Sequence, residues 1–205
     1  MPLGTAIVAG GAQNTSQTIG NTIPNRAGQL GDLIVSQLQG LKYEGTYRGN
    51  RYSVANQAAV TTTAALSTTF TGLVVGNPAS SPVNLVLDKF AAAQFAVGAA
   101  GAIGLMGGAS TTVITGTLTV QNRKMGGSVG YGVASAGQTI GTPILLDVFG
   151  SIGSVATSSI PLVNGICVDL NGSLIIPPGY FVASYTTIVT TSALIFSIGW
   201  AEVPI

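Results

Sequence analysis

The stretch that most looks like a catalytic motif is Gly126-Gly127-Ser128-Val129-Gly130, which matches the G-x-S-x-G turn that presents a serine nucleophile at the top of a sheet in hydrolases. A serine nucleophile needs a base to take its proton. The 205-residue chain contains no histidine, so neither a Ser-His-Asp nor a Cys-His arrangement can form. The same absence removes the commonest zinc ligand. The glycine density of Gly126–Gly132 points instead to a flexible loop in which Ser128 is an ordinary alcohol. The six acids (Asp32, Glu44, Asp88, Asp147, Asp169 and Glu202) are far apart in sequence, and no local pair suggests glycosidase carboxylates or a calcium loop. Asp147 and Asp169 sit in apolar strand contexts, where an acid faces the solvated side or pairs with a scarce cation. No nucleotide-binding glycine pattern occurs. Cys167, the single cysteine, lies in the run Ile166-Cys167-Val168 and is expected to be a small buried hydrophobe. No catalytic residue, metal site or cofactor is expected.

One constellation does stand out. Between Lys42 and Tyr52 lie four charged residues, Lys42, Glu44, Arg48 and Arg51, with three of the six tyrosines, Tyr43, Tyr47 and Tyr52. Arginine and tyrosine anchor protein interfaces because each joins large contact area to directional hydrogen bonding. The segment therefore reads as a subunit contact; the alternative is a solvated connector in which Glu44 and Arg48, four apart, pair locally.

Charged residues make up 6% of the chain against about 25% in ordinary globular domains, while hydrophobic residues stand at a normal 46%. A compact 20.5 kDa monomer would expose roughly 8,900 Å², leaving only about one charge for every ~700 Å². Such an exterior suits burial against other protein. A net charge of +1 without a basic stripe argues against nucleic acid as a partner. Phe90–Asn122 is uncharged, and Gly98, Gly101, Gly104 and Gly107 have the spacing of a helix-contact face. The stretch is mostly alanine, glycine and threonine, however, and no membrane partner is expected. The first charge is Arg26 and no positive n-region precedes it, so secretion by a signal peptide is not expected.

Three stretches organise the chain. Residues 1–27 show no sustained period and read as an extended arm. Leu30, Leu33, Ile34, Leu38 and Leu41 recur at helical spacing, which predicts a short amphipathic helix over Gly28–Leu41. Its apolar stripe docks on the chain's own body or on a neighbouring subunit. The expected domains are thus 1–41, arm and helix, and 42–205, a β domain. From Tyr52 onward, threonine and valine enrichment with Gly, Pro and Asn punctuation predicts strands, among them one running from Leu85 into Phe90, Thr111–Val120, Tyr180–Thr187 and Ala193–Val203. Asn171-Gly172 between Ile166–Leu170 and Ser173–Ile176 predicts a hairpin with a type I′ turn. Many strands without intervening helices give an all-β, antiparallel sandwich or jelly roll.

The Tyr43–Asn50 stretch, read as Tyr-x-Gly-x-Tyr-Arg-Gly-Asn, and the Ala-Asn-Gln-Ala-Ala-Val run at residues 55–60 resemble a group of tailed-bacteriophage virion proteins. The closing pattern, Ile176-Pro177-Pro178-Gly179-Tyr180 and Gly199-Trp200-Ala201-Glu202-Val203-Pro204, is similar to the end of those proteins. The glycine-rich middle matches loosely. The resemblance implies a trimeric jelly roll on the capsid exterior, made in the host cytoplasm. On that reading the chain is a non-enzymatic capsid cement or decoration protein. Its partners are its own copies and the major capsid protein, clamped through residues 1–41. The residues expected at its interfaces are Arg26, Leu33, Leu38, Lys42, Tyr43, Glu44, Tyr47, Arg48, Arg51 and Tyr52. The alternative is a head- or tail-fibre module recognising host surface glycans, which calls for exposed aromatics beside acids and amides.

Overall fold

A computed structural model describes residues 42–94, 96, 100–152, 165–191 and 193–205. The chain divides into two units, Met1–Tyr43 and Glu44–Ile205. Of the first, only Lys42 and Tyr43 are among the described residues, so the expected arm and the helix over Gly28–Leu41 lie outside them. The described helix is α1, Tyr43–Tyr47.

Among the described residues eleven strands follow: β1 (Arg51–Ala55), β2 (Thr69–Gly76), β3 (Val83–Gln94), β4 (Gly101–Ala109), β5 (Gln121–Asn122), β6 (Val133–Thr139), β7 (Ile144–Ile152), β8 (Gly165–Asp169), β9 (Ile175–Ile176), β10 (Tyr180–Thr186) and β11 (Leu194–Pro204). They form two antiparallel sheets. One has the order β5-β1-β11-β3-β8, with β9 also paired to β3; the other has the order β6-β2-β10-β4-β7. Setting aside β5, β6 and β9 leaves β1-β11-β3-β8 facing β2-β10-β4-β7. The chain enters the two sheets by turns and closes by laying its last strands between its first ones. This is the jelly-roll order, and it confirms the expected all-β sandwich.

The two sheets bury their faces differently. In β1, β3 and β11, buried residues alternate with half-exposed ones, the period-two pattern of a sheet with one face on the core. The inner residues Trp200, Phe90, Phe196, Leu85, Leu87 and Ile198 form the main core with Leu73, Ile103 and Leu105 of the opposite sheet. Strands β2, β4 and β10 are instead buried over continuous runs. Their alternate residues Phe70, Val74, Met106 and Phe181 form a second cluster with Ile114 and Ile140, which come from connecting segments. The middle strands of the five-stranded sheet, β2, β10 and β4, are therefore covered on both faces.

Three expectations are corrected. Thr111–Val120 is not a strand. It runs beside β6 but satisfies its backbone largely through side chains: Gln138 Oε1 accepts from Thr115 N–H (2.8 Å), and Gln138 Nε2 donates to the Val113 carbonyl (2.7 Å). Its alternation of β-branched and small residues serves to bury Ile114. Asn171 and Gly172 do take positive φ (49° and 80°), and Ser173 N–H closes the turn on the Leu170 carbonyl (2.9 Å). The arms do not pair with each other, because β8 and β9 both pair with β3. The turn is a bulge within one edge strand, not the tip of a hairpin. Cys167, expected to be buried, is exposed, since Ile166 and Val168 take the inward positions of β8.

Gly101, Gly104 and Gly107 belong to β4, and no helix among the described residues is long and apolar enough to cross a membrane. Gly104 is needed because a Cβ there would fall on the carbonyl oxygen of Asp147 in the neighbouring β7. Gly104→Ala should therefore cost about 1–3 kcal/mol by forcing β7 outward. Gly116→Ala, where a Cβ meets nothing closer than 3.9 Å, should stay within about 0.5 kcal/mol of the unaltered chain. Chemical denaturation of the two variants side by side would measure the difference, and equal midpoints would contradict the close approach.

Candidate functional site

The glycine-rich connection from β5 to β6 is not a loose loop. Trp200 on β11 is fully buried, and its ring stacks on Tyr52 of β1 with centroids 6.3 Å apart. The loop lies directly over this pair: a Cβ at Gly130 would meet the Tyr52 ring at 2.9 Å, and one at Gly132 would meet Trp200 Cζ2 at 2.8 Å. The glycines are there to let backbone approach aromatic rings. The loop is then fastened by Glu202, which is only 7% exposed. Its Oε1 accepts hydrogen bonds from Tyr131 N–H (2.8 Å), Gly132 N–H (3.0 Å) and Trp200 Nε1–H (3.4 Å). Backbone donors thus solvate a buried carboxylate in place of water.

The start of the loop is fixed as firmly. Asn122 Nδ2 donates to the carbonyls of Gly49 (2.8 Å) and Ser128 (3.0 Å), and its Oδ1 accepts from Lys124 N–H (2.8 Å). Gly127 N–H bonds the Lys124 carbonyl at 2.8 Å, with Gly126 at positive φ, so residues 124–127 form a tight turn. What this scaffold presents is apolar. Met125 is 94% and Val129 87% exposed, and Tyr131 is exposed beside them. Lys124 Nζ sits 5.2 Å from the centre of the Tyr47 ring. Ser128 Oγ meets the Tyr52 hydroxyl at 3.5 Å, in a loop between two strands and not at a strand-to-helix turn.

The residues expected at an interface divide into groups. Arg26, Leu33 and Leu38 lie outside the described residues. In the first unit, Lys42 is half-buried and Tyr43 exposed. Glu44 and Arg48 form the local i,i+4 ion pair at 2.6 Å, both well exposed, as the connector alternative has it. Tyr47 is exposed. Arg51 and Tyr52 are spent within the chain. Tyr52 gives its surface to Trp200, and Arg51 pairs with Asp88 across β11, where β3 bulges opposite Gly199 and Trp200. That bulge admits the extra residue Asp88 and so turns its carboxylate toward Arg51. Tyr52 has too little free surface to anchor a neighbouring subunit.

Asp147 and Asp169 both face outward, on β7 and β8. Among the described residues no three of His, Cys, Asp and Glu come together. A cleft of about 370 Å³ lies between residues 76–80 and 110–114, with Asn77, Ile114 and Val133 in its wall. Its lining carries hydroxyls but no charged or aromatic side chain. Sequence reasoning missed Glu202 as an anchor and Met125 and Val129 as presented side chains. The available signal was a run of glycines interrupted by single large residues, in a chain whose one tryptophan stands two places from an acid. Set against protein-family models, curated proteins and solved structures, the chain matches none of them.

Proposed function

We propose that the protein is a non-enzymatic structural component of a bacteriophage virion, a capsid cement or decoration protein. Its jelly roll assembles as a homotrimer, and its N-terminal residues bind neighbouring capsomers. The observation that carries this reading is the exterior of the fold: Met125, Val129, Ile144 and Val148 are each more than half exposed in a chain with 6% charged residues. Large aliphatic side chains held out on a rigid scaffold are stable in water only at the cost of solubility, and they mark protein contacts. The jelly-roll order agrees with a capsid role, as does the likeness of the Tyr43–Asn50 and Ile176–Pro204 motifs to tailed-phage virion proteins. Glycan-binding modules share that fold, but the burial of Trp200 and the absence of aromatics from the cleft leave that reading with little to stack against a sugar.

Ordering an arm costs about 1–2 kcal/mol per residue in backbone entropy, which contact with a capsid lattice would offset. Deleting residues 1–27 should therefore leave a soluble trimer that no longer binds expanded capsids prepared without this protein. Cosedimentation tests it, and a truncated chain that still saturates the capsids would remove the arm from the mechanism. Specific carbohydrate-array binding, lost on substitution of Tyr131 or Tyr180, would favour the receptor-binding reading instead.

A further inference from the structure

The sandwich has two lateral sides, one bounded by β5 and β6 and the other by β7 and β8. Three of the four edges are blunted. β5 has two residues, β8 is interrupted by the Asn171-Gly172 bulge, and β6 is overlain by residues 112–118, with Thr117 N–H and Leu118 N–H both donating to the Ala134 carbonyl. β7 is nine residues long, and among the described residues it pairs with β4 alone. Its register against β4 shifts twice, between Ile103 and Gly104 and between Leu105 and Met106. These irregularities turn Leu146 and Phe149 into the core and make β7 a poor template for a further strand. What β7 offers is side chains: Ile144, Leu145 and Val148 are exposed with Asp147 among them.

The charges of the Glu44–Ile205 unit point the same way. Glu44 pairs with Arg48, Arg51 pairs with Asp88, Lys89 stands opposite Asp169 in the β3–β8 register, and Glu202 is buried under the loop. Apart from Lys89 and Asp169, which face each other in register, the charges among the described residues of this unit outside these two ion pairs and not buried are Arg123 and Lys124 on one side of the sandwich and Asp147 on the other. An apolar patch flanked by cations thus lies opposite an apolar patch carrying an acid.

We propose that these two surfaces bind each other in neighbouring copies of this chain. The 123–131 loop of one copy seats on β7 of the next, with Lys124 against Asp147 and with Met125 and Val129 among Ile144, Leu145 and Val148. Because the two patches differ and lie on opposite sides, the contact is heterologous, the kind that forms a ring when the rotation between copies closes. The inference rests on the self-assembly part of the function proposed above and is independent of the capsid.

The test is the mass of the full-length chain by sedimentation equilibrium across concentration. The unaltered chain should give a multiple of 20.5 kDa. Met125→Asp with Val129→Asp should give 20.5 kDa with an unchanged circular-dichroism spectrum, since both side chains are almost wholly exposed. Lys124→Asp and Asp147→Lys should each weaken association about tenfold or more, and the two together should recover most of the loss. A multimeric unaltered chain whose variants all keep its mass, or a double reversal that restores nothing, overturns this contact and leaves self-assembly standing. A single-chain mass for the unaltered protein at every concentration overturns both.

Discussion

Replacing Trp200 by alanine should destabilise the fold by about 3–5 kcal/mol, a large part of what a domain of this size has in reserve. Trp200 lies on β11, the central strand of its sheet between β1 and β3, with its side chain directed into the main core. Its ring is covered by Tyr52 on one side and by the Gly132 backbone on another, so truncation would leave a cavity that neither rigid neighbour can fill. The indole N–H also supplies one of the donors to Glu202. Trp200→Phe keeps most of the volume and should cost less, about 1–2 kcal/mol. Denaturant midpoints compared at equal slope and equal protein concentration would give both numbers, because association would otherwise add to the apparent stability. In the unaltered protein the same tryptophan, the only one in the chain, reports unfolding by its emission. An alanine variant within about 1 kcal/mol of the unaltered chain would mean that this site is not the centre of the core.

The parts of the fold that were legible in the sequence are those dictated by local pattern. Strands β3, β10 and β11 follow from apolar and β-branched runs bounded by Pro, Gly and Asn, and the succession of such runs without helices sufficed for a jelly roll. The failures occur where a local pattern has a non-local purpose. Asn171-Gly172 makes the turn its dihedral preferences require, but whether its arms pair with each other or with β3 is a question of tertiary register. The Thr111–Val120 alternation resembles a strand because one of its residues, Ile114, must be buried, although its hydrogen bonds go mostly to or through the side chains of Gln138, Thr112 and Thr117 and only the Thr117 and Leu118 N–H groups reach a β6 carbonyl, that of Ala134. Cys167 is apolar in sequence context and exposed in space because its two neighbours occupy the inner face. The Tyr43–Tyr52 cluster shows the same limit: composition marked it as special, but not that its last two members would be used inside the chain.

Glu202 was the least legible residue of all, since its partners are backbone N–H groups some seventy positions away, and its loss should have the second largest effect. Glu202→Ala strands the N–H groups of Tyr131 and Gly132, the latter buried, and should cost about 2–4 kcal/mol. Glu202→Gln keeps an oxygen acceptor at the same place and should cost about 1 kcal/mol. The consequence should extend beyond stability. Without its anchor the loop no longer holds Met125 and Val129 in a fixed position, so amide exchange at Tyr131 and Gly132 should accelerate and self-association should weaken, although every contacting side chain is intact. The Met125→Asp, Val129→Asp variant should do the reverse, losing association while the Tyr131 and Gly132 amides stay protected. If Glu202→Ala leaves both amides as slow as in the unaltered chain, the carboxylate is not what holds the loop, and the rigidity must come from Asn122 and the ring contacts alone.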